Sequence, residues 1–146
     1  MKAEDFRGQV QQLIADWATS YTDVDNAITS TDLTMTYENQ ALPDLEETRI
    51  WVDVQVRFYS SSLIAVGRRD GRYTGAVSVS VYVRSGEGTQ IPDRILGGLT
   101  SVLRARRVGE AILKYPERAI PPTDYYGWYR AGLRVPFVLN EWQDDL

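Results

Sequence analysis

The sequence predicts a single α+β domain in which a mostly antiparallel sheet has amphipathic helices packed against it. Three observations carry that reading. Ile50, Val52, Val54, Val56 and Phe58 alternate with Trp51, Asp53, Gln55, Arg57 and Tyr59, the period of two that marks a strand with one buried face. A second run sets Val77, Val79, Val81 and Val83 against Ala76, Ser78, Ser80 and Tyr82, and its β-branched residues favour a pleated surface over a helix. Two other stretches, 3–19 and 90–107, space their apolar residues by three and four instead, as a helix with one buried stripe requires.

Composition fits that class. A chain of 146 residues makes one domain, large enough to bury roughly 68–70% of the surface its unfolded form exposes. With 43% hydrophobic and 25% charged residues it is ordinary globular material rather than a disordered tail. No apolar run approaches membrane-spanning length and no secretory signal follows Lys2, so a soluble protein of the cytoplasm is expected. The chain has no cysteine, which excludes a disulfide scaffold, thiolate metal sites and a cysteine nucleophile. It has no histidine either, which removes the usual general base and the commonest zinc ligand. Only carboxylate or arginine chemistry would remain to an enzyme.

The net charge of −4 is unevenly spread. Residues 1–50 hold ten Asp/Glu against three Lys/Arg, whereas residues 51–107 hold nine Arg against four Asp/Glu. Arginine's planar fork suits fixed pairing with carboxylates across an interface, and an acidic and a basic part of one chain can meet between neighbouring copies. The plainer reading of any single charge is a solvated surface with local ion pairs.

In chain order, Ala3 to Thr19 reads as an amphipathic helix with Phe6, Val10, Leu13, Ile14 and Trp17 on its buried stripe and Glu4 and Asp5 favourably placed at its amino end. Residues 21–32 are polar and turn-rich. Leu33 to Tyr37 alternates enough for a short strand, and Asp44 to Glu47 forms an acidic loop before the long strand that starts near Ile50. Between the two long strands, Asp70-Gly71 is expected to supply the positive φ of a tight turn, with Arg68, Arg69 and Arg72 projecting into water. A helix is expected from Gln90 to Arg107, with Thr89 as its N-cap, Arg104, Arg106 and Arg107 in its last turn, and Gly109 as its stop. Gly97-Gly98 inside it costs about 1 kcal/mol per residue relative to alanine, so a close backbone approach to the sheet or to a neighbouring subunit is expected there. Ala111 to Tyr115 reads as a short strand and Pro116 to Asp124 as a stiff connector. The final strand, from Tyr126 to about Trp142, sets Tyr129, Ala131, Leu133, Val135, Phe137 and Leu139 on one face. Pro136 within it implies an edge position or a bulge.

Chemistry-bearing motifs fail on their spacing. Asp23-Val24-Asp25-Asn26 starts like a calcium loop, but Ala27 and Ile28 fall where a ligand and the sharp-turn glycine belong, and Thr34 stands where the closing glutamate should be. Gly86-x-Gly88 lies between a strand and a helix, yet Ile91 occupies the position of the third glycine of a dinucleotide fingerprint. There is no phosphate-binding Gly-Lys-Ser/Thr loop. The paired carboxylates of residues 44–47 have no predicted apolar wall to shift a pKa and read as a solvated turn.

The order of elements resembles the tail terminator (tail completion) proteins of long-tailed bacteriophages, the lambda-type family, from about Tyr37 to Trp142. The matching features are Tyr37-Glu38-Asn39 followed by Pro43, Ile50-Trp51-Val52-Asp53-Val54, Gly71-x-Tyr73-x-Gly75 leading into the next strand, the Ser85-Gly86-Glu87-Gly88 turn, Trp128-Tyr129, and Arg134-Val135-Pro136-Phe137. The connector around Pro121 and Pro122 is longer than the family pattern. The resemblance implies one domain over residues 1–146, with an amino-terminal helix over 1–20 and a core over 33–142 whose mixed, mostly antiparallel sheet is covered by helices on one side. It further implies a non-catalytic virion protein without cofactor or metal. Six copies would form a ring at the head-proximal end of the tail tube, ending tube growth, joining the tail to the neck of the head, and letting DNA pass without specific contact. Its partners would be itself, the tail tube protein and the head-neck connector. Arg68, Arg69, Asp70, Arg72, Arg104, Arg106, Arg107, Glu46 and Glu47 are the expected subunit or partner interface. The same residues also fit another head–tail connector or a tube subunit, or a generic non-catalytic α+β interaction module.

Overall fold

The computed structural model describes residues 1–38, 40–44, 46–64, 70–118, 123–125 and 127–142, with the backbone alone for 123–125. Helix α1 spans Ala3–Thr19 and buries Phe6, Val10, Ile14 and Ala18, one residue per turn on a single stripe. A small hairpin follows, β1 (Thr22–Asp23) with β2 (Ile28–Thr29), in a segment the sequence marks only as turn-rich. A 3-10 turn over Ser30–Asp32 is closed where the Thr29 amide donates to Asp32 Oδ2 at 2.9 Å. Strand β3 (Leu33–Thr36) then leads through residues 37–49 into β4 (Ile50–Leu63), β4 into β5 (Gly71–Arg84), and β5 into α2 (Gln90–Leu103). The chain closes with β6 (Arg107–Val108), β7 (Ala111–Leu113), β8 (Thr123–Tyr125) and β9 (Trp128–Glu141).

The seven-stranded sheet runs β3-β4-β5-β9-β7-β6, with β8 also paired to β9. Every pairing is antiparallel except β3 with β4, so the expected mixed, mostly antiparallel α+β sheet is what forms. Both long strands extend beyond their most apolar stretches, because β5 pairs with β4 on one side and β9 on the other along its whole length. Register places Ile50, Val83 and Tyr129 in one row, Val54, Val79 and Leu133 in another, and Val56, Val77 and Val135 in a third. These rows form one face. It shares a single core with Phe6, Val10 and Ile14 of α1 and with Ile91, Ile95, Leu96, Leu99 and Leu103 of α2, so both helices cover the same side of the sheet. Beyond the short β3, Val56 at the edge of β4 is held by side chains: its amide donates to the Glu38 carboxylate and its carbonyl accepts from Arg7 Nη2 at 3.1 Å.

Gly75 fixes one corner of the core. It lies in the row of Phe58 and Phe137, and a Cβ built there would collide with the Arg57 carbonyl oxygen and sit 2.7 Å from Phe137 Cζ. Its lack of a side chain lets Phe137 lie across the strand, 4.5 Å from the Phe6 ring and 5.4 Å from the Phe58 ring. A bulge between Phe58 and Ser60 follows in β4.

Several expectations are corrected. Helix α2 ends at Leu103 rather than Arg107: Arg104 is extended, Ala105 has φ +47°, and the Ala105 amide turns to the Lys114 carbonyl at 3.4 Å. Arg104, Arg106 and Arg107 therefore do not sit in its last turn, and Gly109, at φ +59°, belongs to the β6–β7 turn. Thr89 precedes the helix but makes no side-chain cap bond. Gly98 does permit a close approach, to Trp17 of α1, whose Nε1 would lie 3.2 Å from an added Cβ; Gly97 has open space. Gly71 is not at positive φ; it is the first residue of β5, paired with Leu63, and residues 65–69 lie outside the described residues. The strand expected to run to Tyr115 stops at Leu113, and the expected connector contributes a bridge at Glu117 and the strand β8. Pro136 is not on an edge. Strand β9 is central, and Pro136 falls in the gap between β7 and the Glu117 bridge, where its carbonyl accepts from the Lys114 amide at 2.8 Å and no donor is needed in return.

Candidate functional site

The expected interface residues do not converge on one site. Glu46 and Glu47 are exposed in the turn before β4, whose fold is held by Thr48 Oγ1 donating to the Asp44 carbonyl at 2.6 Å. Arg72 lies near the far end of the sheet, where it is exposed and donates from Nε to Asn140 Oδ1 of β9 at 3.1 Å. Exposed Arg104, Arg106 and Arg107 lie toward the same end, since the row of Arg107 continues through Ile112, Val138 and Thr74. Fourteen residues of β4 at about 3.3 Å each put the two ends roughly 40 Å apart. Asp70, expected in an exposed loop, is only 3% exposed, and its carbonyl accepts from the Ile64 amide at 3.0 Å as the hairpin closes. Arg68 and Arg69 lie outside the described residues.

A second group assembles on the side of the sheet that neither helix covers. The residues that alternate with the core rows place Arg57, Arg72, Arg84, Arg107, Arg130 and Arg134 on this face, against Asp53 and Glu117. Of these arginines only Arg72 and Arg107 are among the expected interface residues. The outward positions of β4, β5 and β9 carried the signal for the rest, because an arginine at a polar position of a strand belongs to its uncovered face.

Side-chain contacts organise this face. The Trp51 and Tyr82 rings stack at 4.3 Å with an interplanar angle of 18°. Trp51 Nε1 donates to Thr36 Oγ1 at 2.8 Å, and Thr36 Oγ1 donates in turn to Asp53 Oδ1 at 2.7 Å. Gln55 Nε2 donates to Asp53 Oδ2 at 3.1 Å, and the Gln55 carbonyl accepts from Arg57 Nε at 2.8 Å. Arg130 lies 5.8 Å from the centre of the Tyr82 ring and donates from Nη2 to Ser80 Oγ at 3.1 Å. Arg84 stacks over Trp128 at 4.0 Å, and Arg134 pairs with Glu117 at 2.8 Å beside the Tyr59 ring. The hydrogen bond that Arg134 donates to Glu117, followed by its bond to the exposed Tyr59 hydroxyl, raises the Arg134 pKa.

The acidic turn that starts like a calcium loop is organised by arginine. Asp23 Oδ1 receives Arg94 Nη1 at 2.7 Å, Asp25 Oδ2 receives Nη2 at 2.8 Å, and Asn26 donates to Asp23 Oδ2 at 2.8 Å. The Asn26 bonds, followed by Arg94, hold the buried Asp23 carboxyl below its ordinary range. Among the described residues no group of three or more acidic side chains is placed to hold a metal ion, and no helix is long and apolar enough to cross a membrane.

No protein-family model matches the chain, and no curated protein matches it. Among solved structures, one whose name states no function is similar over 94% of this chain and 95% of its own, with a TM-score of 0.69 at 16% identity. That similarity extends over the whole α+β domain and is a likeness of fold.

Proposed function

We propose that this chain is a structural assembly protein of the tail-terminator type, with no catalytic role, whose copies join into a ring at the head-proximal end of a phage tail tube. The observation that supports the reading is the separation of exposed Glu46 and Glu47 at one end of the sheet from exposed Arg72, Arg104, Arg106 and Arg107 toward the other. Unlike charges at opposite ends of a rigid body favour head-to-tail contact, in which each copy uses two different surfaces. Such contacts close into a ring when the rotation between copies permits it and otherwise continue as a filament. A ring of six that matched the tube on one side and differed on the other would end tube growth and offer the neck a docking surface, with DNA passing through its lumen.

Native mass spectrometry and electron imaging, with and without the tube protein, test this. The expected result is a closed hexamer. Reversing Glu46 and Glu47 to arginine should abolish it, and reversing Arg104, Arg106 and Arg107 to glutamate in the same chain should restore it. A monomer in both settings overturns the ring, and open filaments favour a tube subunit instead.

A further inference from the structure

The helix-free face holds a concavity of about 240 Å³ lined by Gln55, Arg57, Ser78, Ser80, Tyr82 and Arg130, with Asp53 at its side. We propose that it is a binding site for a small oxyanion, a carboxylate or a phosphate borne on a short polar ligand. Two guanidinium groups border it, and their hydrogen-bond partners are neutral: Gln55 for Arg57 and Ser80 for Arg130. Arg130 Nε is shut off from solvent and so lies out of a ligand's reach, which leaves the Nη groups as the donors a ligand would meet, with Ser80 Oγ taking one N–H of Nη2. Among the described residues the carboxylate beside the concavity, Asp53, makes no ion pair with either guanidinium; it accepts from Thr36 at Oδ1 and from Gln55 at Oδ2. Its charge instead holds the Gln55 amide so that the carbonyl meets Arg57.

The wall is built to keep its shape. Tyr82 is stacked on Trp51, whose indole is tied to Thr36, so Arg130 rests against a ring that is itself fixed. A guanidinium held in this way presents a flat donor edge that matches the paired oxygens of a carboxylate or phosphate, and the Ser78 and Ser80 hydroxyls can add donors. Size sets the class of ligand. The volume falls below the ~300–1,000 Å³ of sites for drug-sized molecules, and the lining is polar, which fits a small charged ligand and not an apolar one. This inference stands apart from the ring reading, since it concerns the isolated chain.

The test is calorimetric titration of the full chain with inorganic phosphate and, separately, with glutarate, at constant ionic strength. Saturable binding of one equivalent of either probe is expected, and whichever probe binds identifies the headgroup; equal binding of both identifies a general oxyanion site. Arg57→Gln and Arg130→Met should each lower affinity about tenfold or more, the loss of one charged hydrogen bond, whereas Arg106→Gln, outside the concavity, should leave it unchanged. Arg57 is exposed, so its variant keeps the test valid if Arg130→Met does not fold. No saturable binding of either probe overturns the proposal, and so does an equal loss in the Arg106 variant, which would mark diffuse attraction to a basic surface.

Discussion

The two faces of the sheet are made by the same strands in the same register, yet they behave as different materials. On the helix-covered face, Ile50, Val52, Val54, Val77, Val81, Val83, Val135 and Leu139 are fully buried. On the other, Arg57 is exposed and Asp53, Gln55, Ser78, Tyr82 and Arg130 are half-buried, linked by hydrogen bonds and stacking. Side chains alternate every residue, so each strand contributes to both faces without compromise. Packing on the first face supplies the stability that lets the second hold charges which contribute little to folding. A one-residue slip would exchange the two, which is why a strand that pairs fully on both sides, β5, fixes the register of the sheet.

Substitutions on the two faces should therefore separate by size, and each can be measured by urea denaturation. The largest effect is expected for Phe6→Ala, which removes the ring that joins α1 to Phe58 and Phe137 and should cost about 4 kcal/mol. Gly75→Ala should follow at about 3 kcal/mol, because the new methyl meets backbone at Arg57 that cannot yield without moving the strand. On the opposite face, Thr36→Val should cost about 1–2 kcal/mol by leaving the Trp51 indole and one Asp53 oxygen without their partner. If Thr36→Val proved as costly as Phe6→Ala, the contrast between the faces would fail.

Smaller effects sharpen the contrast. Asp23 has a folded-state pKa below its ordinary 3.8, so its contribution is fully present above that value and is lost as the pH falls through the depressed folded pKa. Asp23→Asn should accordingly flatten the loss of stability as the pH falls below the ordinary 3.8 while leaving the shape of the profile near neutrality unchanged. The smallest change is expected for Arg57→Gln, within about 0.5 kcal/mol, since an exposed guanidinium bonded to a neutral amide adds little to folding. A larger loss would mean that the helix-free face supports the fold rather than serving recognition.

The alternation from Ile50 to Tyr59 and from Ala76 to Val83 determined by itself that two long strands would pair with one buried face, and the stripe from Phe6 to Trp17 determined α1 to its observed ends. These signals are legible because each repeats a local period several times. The tail of α2 was not legible: Arg104 to Arg107 carry good helix propensity, but pairing between β6 and β7 draws the chain out of the helix at Leu103. Pro136 was misleading for the same reason, since only the tertiary arrangement showed a gap in the neighbouring strand that spares its missing donor. The candidate site was legible one residue at a time, as arginines at outward positions, but not as a site. Arg57 and Arg130 stand 73 positions apart in the chain and on strands that do not pair, with β5 between them. Local sequence sets which way each side chain points, and strand order alone decides which of them meet.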